Sequence, residues 1–169
     1  MCECKSTAQL QPLSVEKLLA TIGRLKWNPS ETSVLSGKMP TGEPLFVLGN
    51  KENFWTEFRG YAISGTCSHD KVGIHLSAEA SRGGKIVGGF SVTVAIRNGS
   101  LGDAYGEIIG PIKITVSKGM KARNPVEDCI IRHAPDCFVL CCPGGDCSGE
   151  CLLVCGAANA ACCLINPHC

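Results

Sequence analysis

Thiols are the residues best placed to do chemistry in this chain. Of its 13 cysteines, nine fall in the last 33 residues: Cys137, Cys141, Cys142, Cys147, Cys151, Cys155, Cys162, Cys163 and Cys169. No Lys or Arg lies among them. Thiolates bind soft metals, oxidise in pairs to disulfides, or are converted enzymatically to thioethers and thiazoles. Each fate implies a different function for the same segment.

Metal binding is one of these fates, with zinc, copper or an iron-sulfur cluster as the cofactor and the nine tail cysteines as ligands. The spacing weighs against it. Successive tail cysteines are separated by 4, 1, 5, 4, 4, 7, 1 and 6 positions. That pattern contains no C-x-x-C knuckle of the kind found in zinc ribbons and ferredoxins. Asp146 and Glu150 add negative charge to any thiolate cluster, and only His133 and His168 offer themselves as further ligands.

Disulfide linkage is the second fate. Pro143-Gly-Gly-Asp supplies a turn, while Cys147, Cys151 and Cys155 recur every four residues and so share one face of a helix. Such a face can be stapled to the Cys162-Cys163 doublet. An odd total of 13 leaves at least one thiol over. Cys2 and Cys4, near the N-terminus, are the candidates for a crosslink between chains and hence for self-assembly into a structural protein.

The third reading makes the tail the functional part of a peptide precursor, with no catalytic residue and no bound cofactor. A front with few cysteines joins a back made of Cys, Gly, Ala and aliphatic residues through the basic segment Lys118-Gly-Met-Lys-Ala-Arg-Asn-Pro. Precursors of ribosomally made, enzymatically modified peptides have this general layout. Ser148 is the only hydroxyl residue after Cys137, so lanthionine rings, which need dehydrated Ser or Thr, are nearly excluded. Disulfide, thioether or thiazole chemistry remains, with a modifying enzyme or an exporter as partner. The bland alternative, in which nine thiols are merely small buried apolar side chains, is a poor account of so dense a run. The precursor reading ranks first because it explains the segregation of cysteines to one end.

A second constellation is Cys67, His69, Asp70 and His75. A Cys beside a His can act as nucleophile and base, and Cys67, His69 and His75 also count as three metal ligands. Cys67-Ser-His-Asp nevertheless reads well as an exposed turn, and that reading is preferred. No P-loop, nucleophile elbow, H-E-x-x-H or dinucleotide fingerprint is present. A non-enzymatic protein is expected.

Composition removes other classes. A net charge of +1 with 18% charged residues provides no field to attract nucleic acid, and 5% aromatic residues provide no stacking platform. The N-terminus lacks the basic start and apolar run of a secretory signal, so the chain is expected in the cytoplasm as synthesised, with any export by a non-classical route. The apolar stretch from Cys151 to Ile165 is too short for a transmembrane helix.

The elements that position these residues follow from periodicity. Val15, Leu18, Leu19, Ile22 and Leu25 lie on one helical face, with Ser14 as N-cap and Asn28-Pro29 as the stop. Farther along, the period becomes two: Val72 to Ala80, Phe90 to Ile96 and Ile112 to Val116 alternate apolar and other residues, and shorter runs occupy Leu45 to Leu48 and Thr56 to Thr66. Asn98-Gly99 is tight-hairpin chemistry. About five strands at such spacing predict a mainly β fold, an antiparallel sheet, sandwich or small barrel, with an N-terminal helix and a cysteine-rich C-terminal appendage. The expected division is an arm and helix over 1–42, a β domain over 43–118, a linker over 119–136 and the cysteine-rich element over 137–169.

Overall fold

A computed structural model describes residues 5–6, 14–70, 73–97, 100–109, 114–116, 129–130, 132–133, 141 and 149–165, with side chains from 14 to 94 and from 129 onward within those ranges. The expected fold class is present: an antiparallel β structure with an N-terminal helix and a cysteine-rich C-terminal element. Nine strands form one sheet in chain order, each antiparallel to the next. They are β1 (Lys5–Ser6), β2 (Thr32–Lys38), β3 (Pro44–Asn50), β4 (Asn53–Phe58), β5 (Tyr61–His69), β6 (Gly73–Arg82), β7 (Lys85–Arg97), β8 (Ser100–Ile109) and β9 (Ile114–Val116). Helix α1 is Val15–Leu25 and helix α2 is Gly149–Ile165.

The alternating pattern sets the register. On β6, Ile74, Leu76, Ala78 and Ala80 are buried while Glu79 is exposed, and on β7 Phe90, Val92 and Val94 are buried while Ser91 is exposed. The run expected over Thr56 to Thr66 is two strands instead of one, because Arg59 and Gly60, both at positive φ (51° and 81°), turn the chain between Phe58 and Tyr61. Gly83 and Gly84 make the corresponding turn between Arg82 and Lys85, again at positive φ. Arg97 faces Ser100, so β7 and β8 are joined by the two residues Asn-Gly, the length that dipeptide predicts.

Helix α1 starts where Ser14 Oγ accepts a hydrogen bond from the Lys17 amide at 3.1 Å, and ends where Lys26 adopts the left-handed conformation at φ 59°. Its buried face is narrower than the apolar stripe implies. Leu18, Thr21 and Ile22 are buried, but Val15 and Leu19 are more than half exposed. The reason lies in the seat: α1 rests on Leu48 and Trp55 at the outer face of β3 and β4, with Leu25, Trp27 and Val34 at its margin, and this patch accommodates only the turns that begin at Leu18.

The opposite face of the sheet holds α2. Every residue from Cys151 to Cys163 is buried. The helix contacts β2, β3, β4, β5 and β6. Five adjacent strands span roughly 19 Å at their usual spacing, whereas a helix is about 10 to 12 Å across. The outer two can reach one helix only if the sheet curls around it. The result is one apolar core in which Leu35, Val47, Phe54, Ile63, Leu76, Phe90 and Val92 of the sheet surround Leu152, Leu153 and Val154 of the helix. The cysteine-rich element is therefore packed into the sheet and supplies much of its core. The expected boundary at 118/119 lies outside the described residues.

Candidate thiol centre

Cysteine chemistry is concentrated around α2. Cys151, in its first turn, is disulfide-bonded to Cys141, with Cα atoms 5.3 Å apart and 10 residues of separation. Cys163, in its last turn, is bonded to Cys129 at a Cα distance of 5.5 Å and a separation of 34. Both Cα distances lie in the ordinary range for unforced bridges. Cys162 is disulfide-bonded as well. Cys67 and Cys155 remain thiols and are buried. Cys2, Cys4, Cys137, Cys142, Cys147 and Cys169 lie outside the described residues.

The sequence pointed to a helical face carrying Cys151 and Cys155 and to a staple with the Cys162-Cys163 doublet. Both features belong to α2, but neither thiol of that face bonds to the doublet. Cys151 and Cys163 lie 12 residues apart in one helix, about 18 Å at the helical rise, and no disulfide spans that distance. Each must find a partner outside the helix. Cys129, which precedes the dense run, is the partner that spacing did not suggest.

The two bridges stabilise the C-terminal element by limiting its unfolded states. On loop length, Cys129–Cys163 contributes about 3 to 4 kcal/mol and Cys141–Cys151 about 2.5 kcal/mol. Replacing Cys129 and Cys163 together by Ser is expected to lower the urea midpoint accordingly, more than replacing Cys141 and Cys151 together. Equal midpoints for parent and both variants in non-reducing urea titrations would contradict the assignment.

The sulfur atoms of Cys129, Cys162 and Cys163 all lie within 4.8 Å of one another. As members of disulfides they have no thiolate to donate. After reduction the same three would form a buried set of soft ligands, one short of the usual four for structural zinc.

Two thiols and one amide line a small cavity between sheet and helix. It measures about 30 Å³ and is bounded by Cys67, Ile74, Leu76, Val94, Ile130, Leu152, Cys155, Gly156 and Asn159. Its size suits a water and no larger ligand. Burial, reinforced by the Glu52 carboxylate, pushes the Cys67 thiol up to about 12 from an ordinary 9.0. A thiol held neutral in this way is a poor nucleophile. Because the folded value lies above the unfolded one, the neutral thiol's contribution to stability is complete below about pH 9 and is lost as pH rises toward 12. We expect Cys67 to escape alkylation in the native protein at pH 8 and to react on unfolding. Between about pH 9 and 12 its share of stability should fall by roughly 1.4 kcal/mol per pH unit. A Cys67→Ala variant with the same alkaline slope as the parent would remove that contribution.

The second constellation does not assemble. Cys67 faces Leu76 across the β5–β6 ladder and His75 faces Ser68, so Cys67 and His75 point to opposite faces of the sheet. This separation rules out both the nucleophile–base pair and the three-ligand site. Instead, His75 joins Asp70 Oδ2 through Nε2 and Thr93 Oγ1 through Nδ1, each at 2.9 Å. Asp70 Oδ1 also accepts from the Gly73 amide at 3.1 Å, closing the turn from β5 to β6. The preferred reading of Cys67-Ser-His-Asp as turn chemistry accounts for these bonds.

No helix among the described residues is long and apolar enough to cross a membrane. No protein-family model, curated protein or solved structure matches this chain.

Proposed function

We propose that this protein is a non-enzymatic precursor or carrier in which the sheet shelters a crosslinked, apolar C-terminal segment that is the functional product. The observation that carries this reading is a segregation of covalent bonds. Both disulfides with described partners close within residues 129–163, and the one described cysteine of the sheet, Cys67, takes no part. The C-terminal segment is thus tied to itself and held to the sheet, among the described residues, by packing alone. A helix without a charged residue from Cys151 to Ile165 would associate nonspecifically in water. Enclosure by the sheet keeps it folded until use.

Under this reading, the partners are a protease acting at the basic segment 118–123 and an exporter or modifying enzyme. Disulfides are the crosslinks present, and thioether or thiazole formation would involve the remaining tail cysteines. The test is intact-mass analysis of the product from its native source. A C-terminal fragment containing residues 129–163, lighter by two hydrogens for each disulfide, is expected. A single uncut chain with every cysteine unmodified would remove the proposal.

A second reading is favoured by the proximity of Cys129, Cys162 and Cys163: in reducing conditions these thiols hold a thiophilic metal. Anaerobically reduced protein should then bind zinc or Cu(I) stoichiometrically, and Cys162→Ser should weaken that binding. Metal binding unchanged by that variant would exclude these residues as the site.

A further inference from the structure

The concave face of the sheet is built around one particular helix. Beyond its apolar residues, two close fits define the seat. A Cβ on Gly49 of β3 would stand 3.0 Å from Leu153 Cδ1, so the helix's leucine fills space that only glycine leaves open. Conversely, a Cβ on Gly156 of α2 would stand 3.0 Å from Cys67 Cβ and 3.1 Å from Leu76 Cδ1. A knob from the helix enters the sheet at Gly49, and a knob from the sheet enters the helix at Gly156. Such reciprocal packing discriminates by shape, where greasiness alone would not.

If the chain is cut in its basic segment, as the precursor reading on which this inference rests requires, the sheet faces a problem. Departure of α2 would expose Leu35, Val47, Phe54, Ile63 and Leu76 together, a contiguous apolar surface of the kind soluble proteins avoid. Covering that surface again is strongly favourable, and the occupant that fits is the segment that left. We infer that the N-terminal part of the cut protein is a binding partner for the crosslinked C-terminal segment, including one released from a second copy of this chain. Cutting removes only the high effective concentration that the linker provides and leaves every packing contact intact.

The experiment uses the full chain with a specific protease site inserted between Lys121 and Ala122. Unlabelled and 15N-labelled protein are each cut without reductant, mixed in equal amounts, passed through urea and back with disulfides intact, and examined by native mass spectrometry at micromolar concentration. The expected result is a one-to-one complex of the two pieces in which light and heavy partners are exchanged. Gly156→Val should reduce mixed pairs about ten- to a hundred-fold through overpacking, and Leu153→Ala by a similar factor through an unfilled space opposite Gly49. If either variant fails to fold as an uncut chain, the other gives the comparison. Pieces of the parent protein that separate or precipitate independently after cutting would overturn the inference while leaving precursor processing intact. The precursor reading fails by a different result, an uncut and unmodified native product.

Discussion

Val154→Asp should unfold the sheet together with the helix. Val154 is fully buried near the middle of α2, and it belongs to the same cluster as Phe54, Ile63, Leu76 and Val92 from four different strands. An aspartate there would place a carboxylate, or a neutral acid without a designed partner, in an apolar interior. The penalty is several kcal/mol, a large part of the roughly 5 to 15 kcal/mol by which a domain of this size is stable. Loss of the helix leaves the curled sheet without its filling. Circular dichroism should therefore lose its β-sheet signal along with the helical one, and the cooperative urea transition should vanish. Glu150→Gln, at the exposed first turn, is the control and should change little. A Val154→Asp protein that keeps the full β signal would mean that the sheet folds without α2, as a self-sufficient β domain over 43–118 would.

What the sequence could reveal about this arrangement depended on periodicity. Strands β6 and β7 are legible because their inner and outer residues differ in kind, from Ile74 to Ala80 and from Phe90 to Val94. β4 and β5 looked like one run because Arg59-Gly60 occupies only the two turn positions between them. β8 has the sequence Ser-Leu-Gly-Asp-Ala-Tyr-Gly-Glu-Ile-Ile, whose apolar residues follow no clear period of two, and it owes its conformation to pairing with β7. The helical stripe of α1 was visible, but its choice of seat was not, since the turn that docks is decided by Leu48 and Trp55 far along the chain.

The same limit applies to the thiols. An element buried on every side carries no amphipathic signal, so Cys151 to Ile165 announced only that it was apolar. Its enclosure by five strands could not be read from it. Cysteine spacing identified a segment and a helical face, but pairing is a property of three-dimensional proximity. Cys141 and Cys129 reach the two ends of α2 because the chain before the helix returns to each of them in turn. That return is tertiary, and no count of intervening residues encodes it.

Gly65→Val tests the other requirement of the fold, that the sheet curl tightly enough to hold α2. Gly65 lies on β5 opposite Ala78 of β6. A Cβ at this position would run into the Ser77 carbonyl oxygen and stand 2.8 Å from the Ala78 Cα. These are backbone atoms, so no rotamer change can relieve the clash. Either the β5–β6 ladder opens or the curl relaxes. Two residues further along β5, Cys67 forms the knob that enters α2 at Gly156, so the displacement reaches the helix seat directly. We expect Gly65→Val to cost about 4 kcal/mol or more, in the range that marks a specific structural fault. Gly65→Ala should already cost more than half of that. Gly84→Ala provides the contrast, because Gly84 has φ +78° but nothing within 4 Å of its would-be Cβ, and only the intrinsic left-handed penalty of about 1 to 2 kcal/mol applies. Urea midpoints order the three variants, and hydrogen exchange should show β5 and β6 amides losing protection first in the Gly65 variants. A Gly65→Ala protein as stable as its parent would show that β5 and β6 do not approach so closely, and that the sheet encloses its helix less tightly than this packing requires.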